Sequence, residues 1–240
     1  MPFSTSSRSR LTAHDLGRFP GHSLFDRLAR AVCQAGCLPR KELYEAWEVG
    51  RRARRWLRGG RVVDFGAGHG LLAHVMLLLD DSSPVALAVD SAAPPSASRI
   101  QAAIVDAWPR LAGRVEYVRG KHDDVAVGPG DVVVSCHACG AFADRVIEHA
   151  VAARAPLAVL PCCHDVETCD KGDLTGWLDP SLAIDVVRVA RLKALGYQVR
   201  AQAIPETITP KNRLIVAVPL AAPSPRAASA RSCSRPAGSA

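Results

Sequence analysis

A glycine-rich turn at residues 62–72, with the sequence VVDFGAGHGLL, carries the strongest ligand-binding signal in the chain. Three alternating glycines follow Asp64, between a short apolar run and a longer one. Glycine allows the positive φ angles of a sharp strand-to-helix turn and lets the backbone approach a ligand closely. The free N–H groups at the start of a helix can then donate to that ligand. We therefore predict cofactor contacts from Asp64, Gly66, Ala67, Gly68 and Gly70.

A carboxylate stands where the second apolar run ends. Asp90 closes the run at 85–90, and an acid at this place can accept hydrogen bonds from both hydroxyls of a ribose. The G-x-G-x-G spacing of the turn differs from the G-x-G-x-x-G spacing of dinucleotide sites, which favours S-adenosylmethionine over a nicotinamide cofactor. After the third run, His122, Asp123 or Asp124 is a candidate for the adenine edge, and we select Asp123. Ser135, at the end of the fourth run, is a further candidate cofactor contact.

Two segments rich in cysteine and histidine, SCHACG at 135–140 and PCCH at 161–164, end the fourth and fifth apolar runs. If these runs are neighbouring parallel strands, their carboxyl ends meet at the edge where open α/β sheets bind ligands. Four thiols and two imidazoles then converge beside the predicted cofactor. The candidate catalytic residues are His137, Cys139, Cys162 and His164.

This corner has three interpretations. In the first, His137 or His164 takes a proton from the methyl acceptor, and the sulfurs mostly pack. In the second, the C-x-x-C segment is half of a zinc site. Against it, the adjacent Cys162 and Cys163 should rarely point to one tetrahedral centre, so we predict no metal ligands. In the third, a cysteine thiolate adds covalently to a pyrimidine ring before methyl transfer.

The elements that must position these residues are seven short apolar runs, five of them separated by helix-length segments. Continuous apolar strands spaced in this way indicate a parallel sheet that is covered on both faces. The last two runs are joined by the short turn PETITPK, which permits only a hairpin. We predict an α/β, Rossmann-like, mostly parallel seven-stranded sheet with a C-terminal antiparallel hairpin. Its strands fall at 61–65, 85–90, 114–118, 131–136, 156–162, 197–204 and 212–220.

Helices precede this sheet, and polar segments flank the whole. Residues 40–58 have one apolar face and one face rich in arginine, and Gly59-Gly60 should end that helix. We predict a disordered tail over 1–20, a catalytic domain over 21–220 whose first part (21–60) is a helical extension, and a second disordered tail over 221–240. The tails have little to bury, which is the basis for predicting their disorder.

The composition points to a protein outside the membrane. The chain of 240 residues has no apolar run of the length that crosses a bilayer, and its start lacks a signal-peptide pattern. We therefore expect a cytoplasmic protein with no membrane partner, whose eight cysteines are thiols rather than disulfides. Much of the formal charge of +7 comes from arginines in the two predicted tails, so it is weak support for RNA binding.

Taken together, the motifs VDFGAGHGLL, AVD, SCHACGAFADRVI and LPCCHD resemble a methyltransferase-domain family marked by an HACG motif and a later cysteine pair. The methyltransferase domain of glutathione-S-transferase-C-terminal-domain-containing proteins is similar in these motifs. A tRNA ribose methyltransferase family with an H-x-C-G-x-A-T-D motif is more distantly similar. The resemblance covers roughly residues 40–218 and implies a class I methyltransferase fold. In the family motif a polar residue usually stands before the aspartate that matches Asp144. This sequence has Phe142-Ala143 there instead.

We accordingly expect an S-adenosylmethionine-dependent methyltransferase. Its acceptor is unknown, with RNA favoured over protein or a small molecule. One alternative is a partner subunit that binds S-adenosylmethionine without turnover, and another is a zinc-stabilised interaction module. The oligomeric state and the methylated atom do not follow from the sequence.

Overall fold

Seven strands form one sheet in a computed structural model that describes residues 3–92 and 94–221. The spatial order of the strands is β3-β2-β1-β4-β5-β7-β6. Strands β2 and β3 are added on one side of β1, whereas β4 and the later strands lie on its other side, so β1 and β4 are at the centre. The strands are β1 (Val62–Phe65), β2 (Ala86–Asp90), β3 (Val115–Arg119), β4 (Val132–Ser135), β5 (Leu157–Val159), β6 (Tyr197–Ala203) and β7 (Arg213–Pro219).

The first five strands are parallel and in register. Val63 of β1 pairs with Leu87 of β2 on one side and with Val133 of β4 on the other. β7 runs antiparallel to both β5 and β6, so the chain ends in the predicted hairpin. The carboxyl ends of β1, β2 and β4 therefore lie side by side at one edge. The predicted fold class is confirmed, because uninterrupted Val, Ala and Leu runs suit strands that are covered on both faces.

Within the described residues, six α-helices cover the two faces of the sheet. Residues from the first four pack in one apolar cluster with β1, β4 and β7, and residues from the last two pack in a second cluster on the opposite face. The helices are α1 (Leu24–Ala35), α2 (Arg40–Ala53), α3 (Leu71–Leu79), α4 (Ala97–Ala107), α5 (Ala141–Ala152) and α6 (Pro180–Ala194). None of the described helices is long and apolar enough to cross a membrane.

Helix α2 lies against α3 and extends the layer that covers the site. A Cβ atom at Gly50 would come within 2.5 Å of the Val75 side chain, so this glycine allows the two helices to pack closely. The helix ends at Ala53, five residues before the predicted end. Arg54 does not belong to an exposed arginine face, because its guanidinium is buried and donates to the carbonyl of Met76. It also forms an ion pair with Asp80 at 3.2 Å.

The prediction of a disordered tail over residues 1–20 is not what the structure shows for residues 3–20. Leu11 and Phe19 are buried in the same cluster as α1 and α2, and the Leu11 N–H donates to the carbonyl of Leu38 at 2.9 Å. Two apolar side chains thus anchor a segment whose composition is otherwise polar. The second predicted tail, 221–240, lies outside the described residues from position 222 onward.

Candidate active site

The glycine turn between β1 and α3 has the predicted strained geometry. Gly66, Gly68 and Gly70 have φ angles of 68°, 52° and 72°, a region that L side chains rarely adopt. A Cβ atom at Gly70 would lie 2.5 Å from the hydroxyl oxygen of Tyr117, whereas a Cβ atom at Gly68 would meet nothing within 4 Å. The Tyr117 side chain therefore fills the space beside Gly70, whereas the space above Gly68, on the side of its missing Cβ atom, is open. Tyr117 holds it by donating to the carbonyl of His69 at 2.5 Å.

Asp90 lies across from the turn at the end of β2, as predicted. One oxygen of its carboxylate accepts from the N–H of Gly68 at 2.9 Å, and the other accepts from the N–H of Ala92 at 2.9 Å. These bonds fix the carboxylate at the rim of a cavity of about 460 Å³ that Gly66 also lines. A cavity of that size suits a nucleoside.

The same cavity includes His122, which the sequence offered as an alternative to Asp123, and three residues that sequence reasoning missed, which are Phe142, Lys121 and Arg145. Phe142, on the first turn of α5, faces it together with His122, and the two rings make an edge-on contact with centroids 5.8 Å apart. Lys121 and Arg145 complete this wall. Asp123 lines the cavity as expected, although its side chain is three-quarters exposed and lies 3.0 Å from His122 Nε2.

Asp64 faces the other side of the turn, in a narrow cleft under α2. It is fully buried and accepts from the N–H of Ala73 at 3.2 Å, so it anchors the first turn of α3. Burial raises the pKa of this carboxyl well above its usual value. Glu42 of α2, which the sequence did not single out, lines the same cleft, and its carboxylate lies 3.5 Å from His69 Nδ1.

Ser135 is not at the cavity, which corrects its prediction as a cofactor contact. Its side chain is fully buried, and its hydroxyl donates to the carbonyl of Phe65 at 2.7 Å. The residue joins the ends of β4 and β1 instead. No alternation of apolar and polar residues along VVVS could indicate which way its last side chain points.

His137 lies where the two sides of the site meet. It lines the narrow cleft together with Asp64 and Gly66, and its side chain is half-buried. Its ring forms no hydrogen bond or ion pair within the part of the chain that the structure describes. The carbonyl of His137 lies near the position a Cβ atom would take at Gly66. The imidazole is therefore available to a molecule that approaches the turn.

The cysteines of the two loops converge as expected. Cys139, Cys162 and Cys163 bring their sulfur atoms within 4.8 Å of one another, and the Cys139 and Cys162 sulfurs are 2.8 Å apart. Burial raises the pKa of Cys139 and also that of Cys162. Lys41 lowers the pKa of Cys139 less than burial raises it, so the shift favours neutral thiols and gives little support to a covalent thiolate mechanism. Cys136 points away from the trio into the core.

His164 is placed differently from His137. Its side chain is 2% exposed, and its Nε2 lies 2.8 Å from the carboxylate of Asp185 on α6. Its Nδ1 has no hydrogen-bond partner among the described residues. Asp185 also accepts from Arg213, and Arg188 joins the network. His164 is thus part of a buried charge network between the β5 loop and α6, which sequence reasoning missed.

Arg188 connects this network to the β4 loop. Its guanidinium forms a two-pronged pair with Asp144 of α5, at 2.7 and 2.8 Å, and donates to the carbonyl of Gly140 at 3.2 Å. Such paired contacts fix geometry as well as charge. The buried network therefore fixes the positions of the two cysteine loops relative to α6.

Residues 51–169 match the family model described as a methyltransferase domain. The matched segment begins near the end of α2 and includes the glycine turn, Asp90 and both cysteine loops. The protein is a methyltransferase. Its cofactor is S-adenosylmethionine, as the sequence predicted, and the open space above Gly68 beside the Asp90 carboxylate fits that ligand.

Several solved structures are similar to this methyltransferase. A precorrin-6Y C5,15-methyltransferase from Geobacter metallireducens GS-15 is 13% identical, with 71% of this chain and 85% of that chain covered and a TM-score of 0.47. An O-methyltransferase family protein from Burkholderia thailandensis is 18% identical, with coverages of 87% and 63% and a TM-score of 0.47. A ribosomal protein L11 methylase from Lactobacillus delbrueckii subsp. bulgaricus is 14% identical, with coverages of 72% and 75% and a TM-score of 0.43.

These TM-scores are low, so the assignment rests on the family match together with the geometry of the site. A comparison with curated proteins gives no match.

Proposed function

We propose that the methyltransferase holds S-adenosylmethionine with its ribose on Asp90 and its adenine in the cavity beside Phe142. The observation that carries this proposal is the Asp90 carboxylate, which the Gly68 N–H and the Ala92 N–H orient toward open space. A hydrogen bond to a charged group contributes about 1.5–3 kcal/mol, enough to select a ribose over a ligand without hydroxyls. Asp123 and His122 lie at the rim where the adenine edge would be read.

The amino-acid end of the cofactor would lie at the narrow cleft under α2, whose free volume of about 10 Å³ holds roughly one water, so α2 must shift outward to admit it. Asp64 and Glu42 supply two carboxyl groups there, and an ammonium group is the ligand that such a pair attracts. Because burial raises the pKa of Asp64, an ammonium close to it would favour the ionised carboxylate and offset part of the desolvation cost. With its amino-acid end there and its ribose on Asp90, the cofactor would have its sulfonium between Asp90 and His137.

S-adenosylmethionine supplies an electrophilic methyl group when it is bound. The protein contributes position, because in-line displacement requires the acceptor atom, the methyl carbon and the sulfur to be aligned. His137, which has no competing partner among the described side chains, orients the acceptor or takes its proton. His164 is buried against Asp185, so it would hold the β5 loop in place rather than contact the acceptor.

The acceptor that we propose is RNA, bound across the mouth of the cavity. The arginine face of α2, which the sequence suggested, does not support this, because Arg51 and Arg52 both pair with Glu48 and Arg54 is buried. The support comes from Lys121 and Arg145, which line the cofactor cavity and form no ion pair with any described residue. Exposed cations at the mouth of the cofactor cavity suit a phosphate backbone.

Transfer of labelled methyl groups tests this proposal directly. The protein is incubated with radiolabelled S-adenosylmethionine and fractionated cell extract, before and after ribonuclease treatment. We expect label in the nucleic-acid fraction that ribonuclease removes. Label that persists in protein or in small molecules after ribonuclease would contradict RNA as the acceptor.

The matched variant for this experiment is His137→Asn. It should change the affinity for S-adenosylmethionine by less than about fivefold, because the proposed ribose and adenine contacts do not involve the imidazole, and should transfer methyl groups about 10²–10⁴-fold more slowly. Unchanged turnover would remove His137 from the proposal without affecting the cofactor site.

The motif resemblance and the location of the protein also remain proposals. We propose that the HACG motif and the cysteine pair mark the group that includes the methyltransferase domain of glutathione-S-transferase-C-terminal-domain-containing proteins. We also propose a reducing location such as the cytoplasm, which suits the seven described cysteines that are free thiols.

A further inference from the structure

Three cysteines from two loops meet at the carboxyl edge of the sheet. Cys139 follows β4, whereas Cys162 and Cys163 follow β5, and all three sulfur atoms lie within 4.8 Å of one another. Cys139 and Cys163 are exposed and Cys162 is partly buried, so the trio is open to solvent on one side. The other described cysteines, Cys33, Cys37, Cys136 and Cys169, are buried and lie outside the cluster.

The backbone holds the two loops in this arrangement. Cys139 and Cys163 form an isolated parallel β-bridge, and the N–H of Gly140 donates to the carbonyl of Cys163 at 3.0 Å. Gly140 has a φ angle of 55°, which lets the chain turn immediately after Cys139. Arg188 fixes the carbonyl of the same glycine from α6. The thiols are therefore gathered before any ligand arrives.

This geometry removes the sequence argument against metal binding. Adjacent cysteines such as Cys162 and Cys163 rarely point to one tetrahedral metal centre. In the structure both sulfurs lie close to Cys139, because the β5 loop crosses beside the β4 loop and presents both side chains to it.

Three thiolates are a donor set that selects a soft or borderline metal. Zinc binds cysteine sulfur at about 2.3 Å in a tetrahedron, so sulfurs that share one zinc ion lie about 3.8 Å apart. The trio brackets that distance, with 2.8 Å between the Cys139 and Cys162 sulfurs and no pair beyond 4.8 Å, so side-chain movements of about 1 Å would complete the site. Three protein ligands with a fourth position left free is the arrangement typical of reactive rather than purely structural zinc sites.

We propose that Cys139, Cys162 and Cys163 bind one Zn²⁺ ion as thiolates, releasing their protons to solvent, with the fourth position open at the mouth of the site. Water or an acceptor heteroatom would occupy that position. The proposal goes beyond methyl transfer itself and does not depend on RNA being the acceptor, because zinc content is measured without any acceptor.

Metal content tests the proposal. The full-length protein, purified under reductant, is equilibrated with zinc, dialysed against metal-free buffer and measured by elemental analysis. We expect about one zinc per chain. Cys139→Ser, Cys162→Ser and Cys163→Ser should each reduce this to background, whereas Cys37→Ser, which removes a buried thiol outside the cluster, should leave it unchanged.

A second measurement needs no variant and so does not depend on a variant folding. Wild-type protein is alkylated with iodoacetamide with and without a zinc chelator, and the modified cysteines are identified by mass spectrometry. We expect zinc to protect Cys139, Cys162 and Cys163 together and the chelator to expose them. Absence of bound zinc, stoichiometric copper or iron in its place, or a Cys139–Cys162 disulfide in the reduced preparation would overturn the proposal. S-adenosylmethionine binding, measured on the same sample, reports separately on the proposed function.

Discussion

The cofactor half and the acceptor half of this site are built by different means. In the cofactor half, the glycine turn and Asp90 are fixed mainly by backbone N–H groups at adjacent strand ends. In the acceptor half, two loops are joined by one backbone β-bridge between Cys139 and Cys163 and are fixed by the buried side-chain network of Asp185 and Arg188. The first half depends on the fold and the second on specific side-chain pairs. Substitutions should therefore affect the two halves separately.

Removal of Asp185 should have the largest effect and should fall on the acceptor half. Asp185→Ala leaves the buried Arg188 and His164 without their shared carboxylate, which costs about 3–5 kcal/mol in the free energy of unfolding. Urea denaturation measures this loss. The control is Asp170→Ala, whose pair with Arg191 is exposed and contributes at most about 1 kcal/mol. Equal losses in the two variants would contradict the account of the network.

A methyl group at Gly70 should be the next most disruptive change. Gly70→Ala combines a positive φ angle with a contact against the hydroxyl of Tyr117, and it should cost at least about 2 kcal/mol of stability. Gly68→Ala has only the backbone strain of about 1–2 kcal/mol, because nothing lies within 4 Å of its Cβ position. It should still weaken cofactor binding, because the methyl group enters the ligand's space. A Gly68→Ala protein that binds S-adenosylmethionine normally would place the ligand elsewhere.

Loss of the Asp90 carboxylate should leave the acceptor half intact. Asp90→Ala should weaken S-adenosylmethionine binding about 10- to 150-fold in titration calorimetry, since it removes charged hydrogen bonds of about 1.5–3 kcal/mol. Asp123→Ala, at an exposed position on the same cavity, should change the affinity less than about fivefold. If both variants lost affinity equally, Asp90 would have no special role at the ribose.

Mild acid should weaken the cofactor half first. His74 of α3 is buried beneath the turn, where burial lowers its pKa from 6.5 to about 4. The folded state thus binds a proton less readily than the unfolded state, so stability falls as the pH drops from 6.5 towards 4, by up to about 1.4 kcal/mol per pH unit. Hydrogen exchange in α3 should rise in this window, and His74→Gln should reduce the slope. Hydrogen exchange in α3 that stays constant between pH 6.5 and pH 4 would contradict this expectation.

The acceptor half should respond only at lower pH. Burial alone would raise the pKa of Asp185, but the hydrogen bonds from His164 and Arg213 outweigh it and hold the pKa below 3.8. The stabilisation from this carboxylate is therefore present above pH 3.8 and is lost as the pH falls through the lowered pKa. Amides of α6 should stay protected at pH 5, where those of α3 have begun to exchange.

The same division decides what the sequence could predict. The turn, Asp90, the strands and the final hairpin follow from local spacing, because these features need no knowledge of side-chain packing. Ser135 was wrong as a cofactor contact, because a strand that is apolar throughout does not reveal which face its last residue occupies. Asp185 and Glu42 were missed, because each reaches the site only through the packing of a helix that is distant in sequence.

A crystal structure of the protein with S-adenosylmethionine tests whether the glycine turn and Asp90 form the cofactor site. We expect ligand density above Gly68, with both ribose oxygens within hydrogen-bond distance of the Asp90 carboxylate and the sulfonium facing His137. Density in another cavity, such as the groove between α6 and β6, with the space at Asp90 filled by protein side chains, would contradict it.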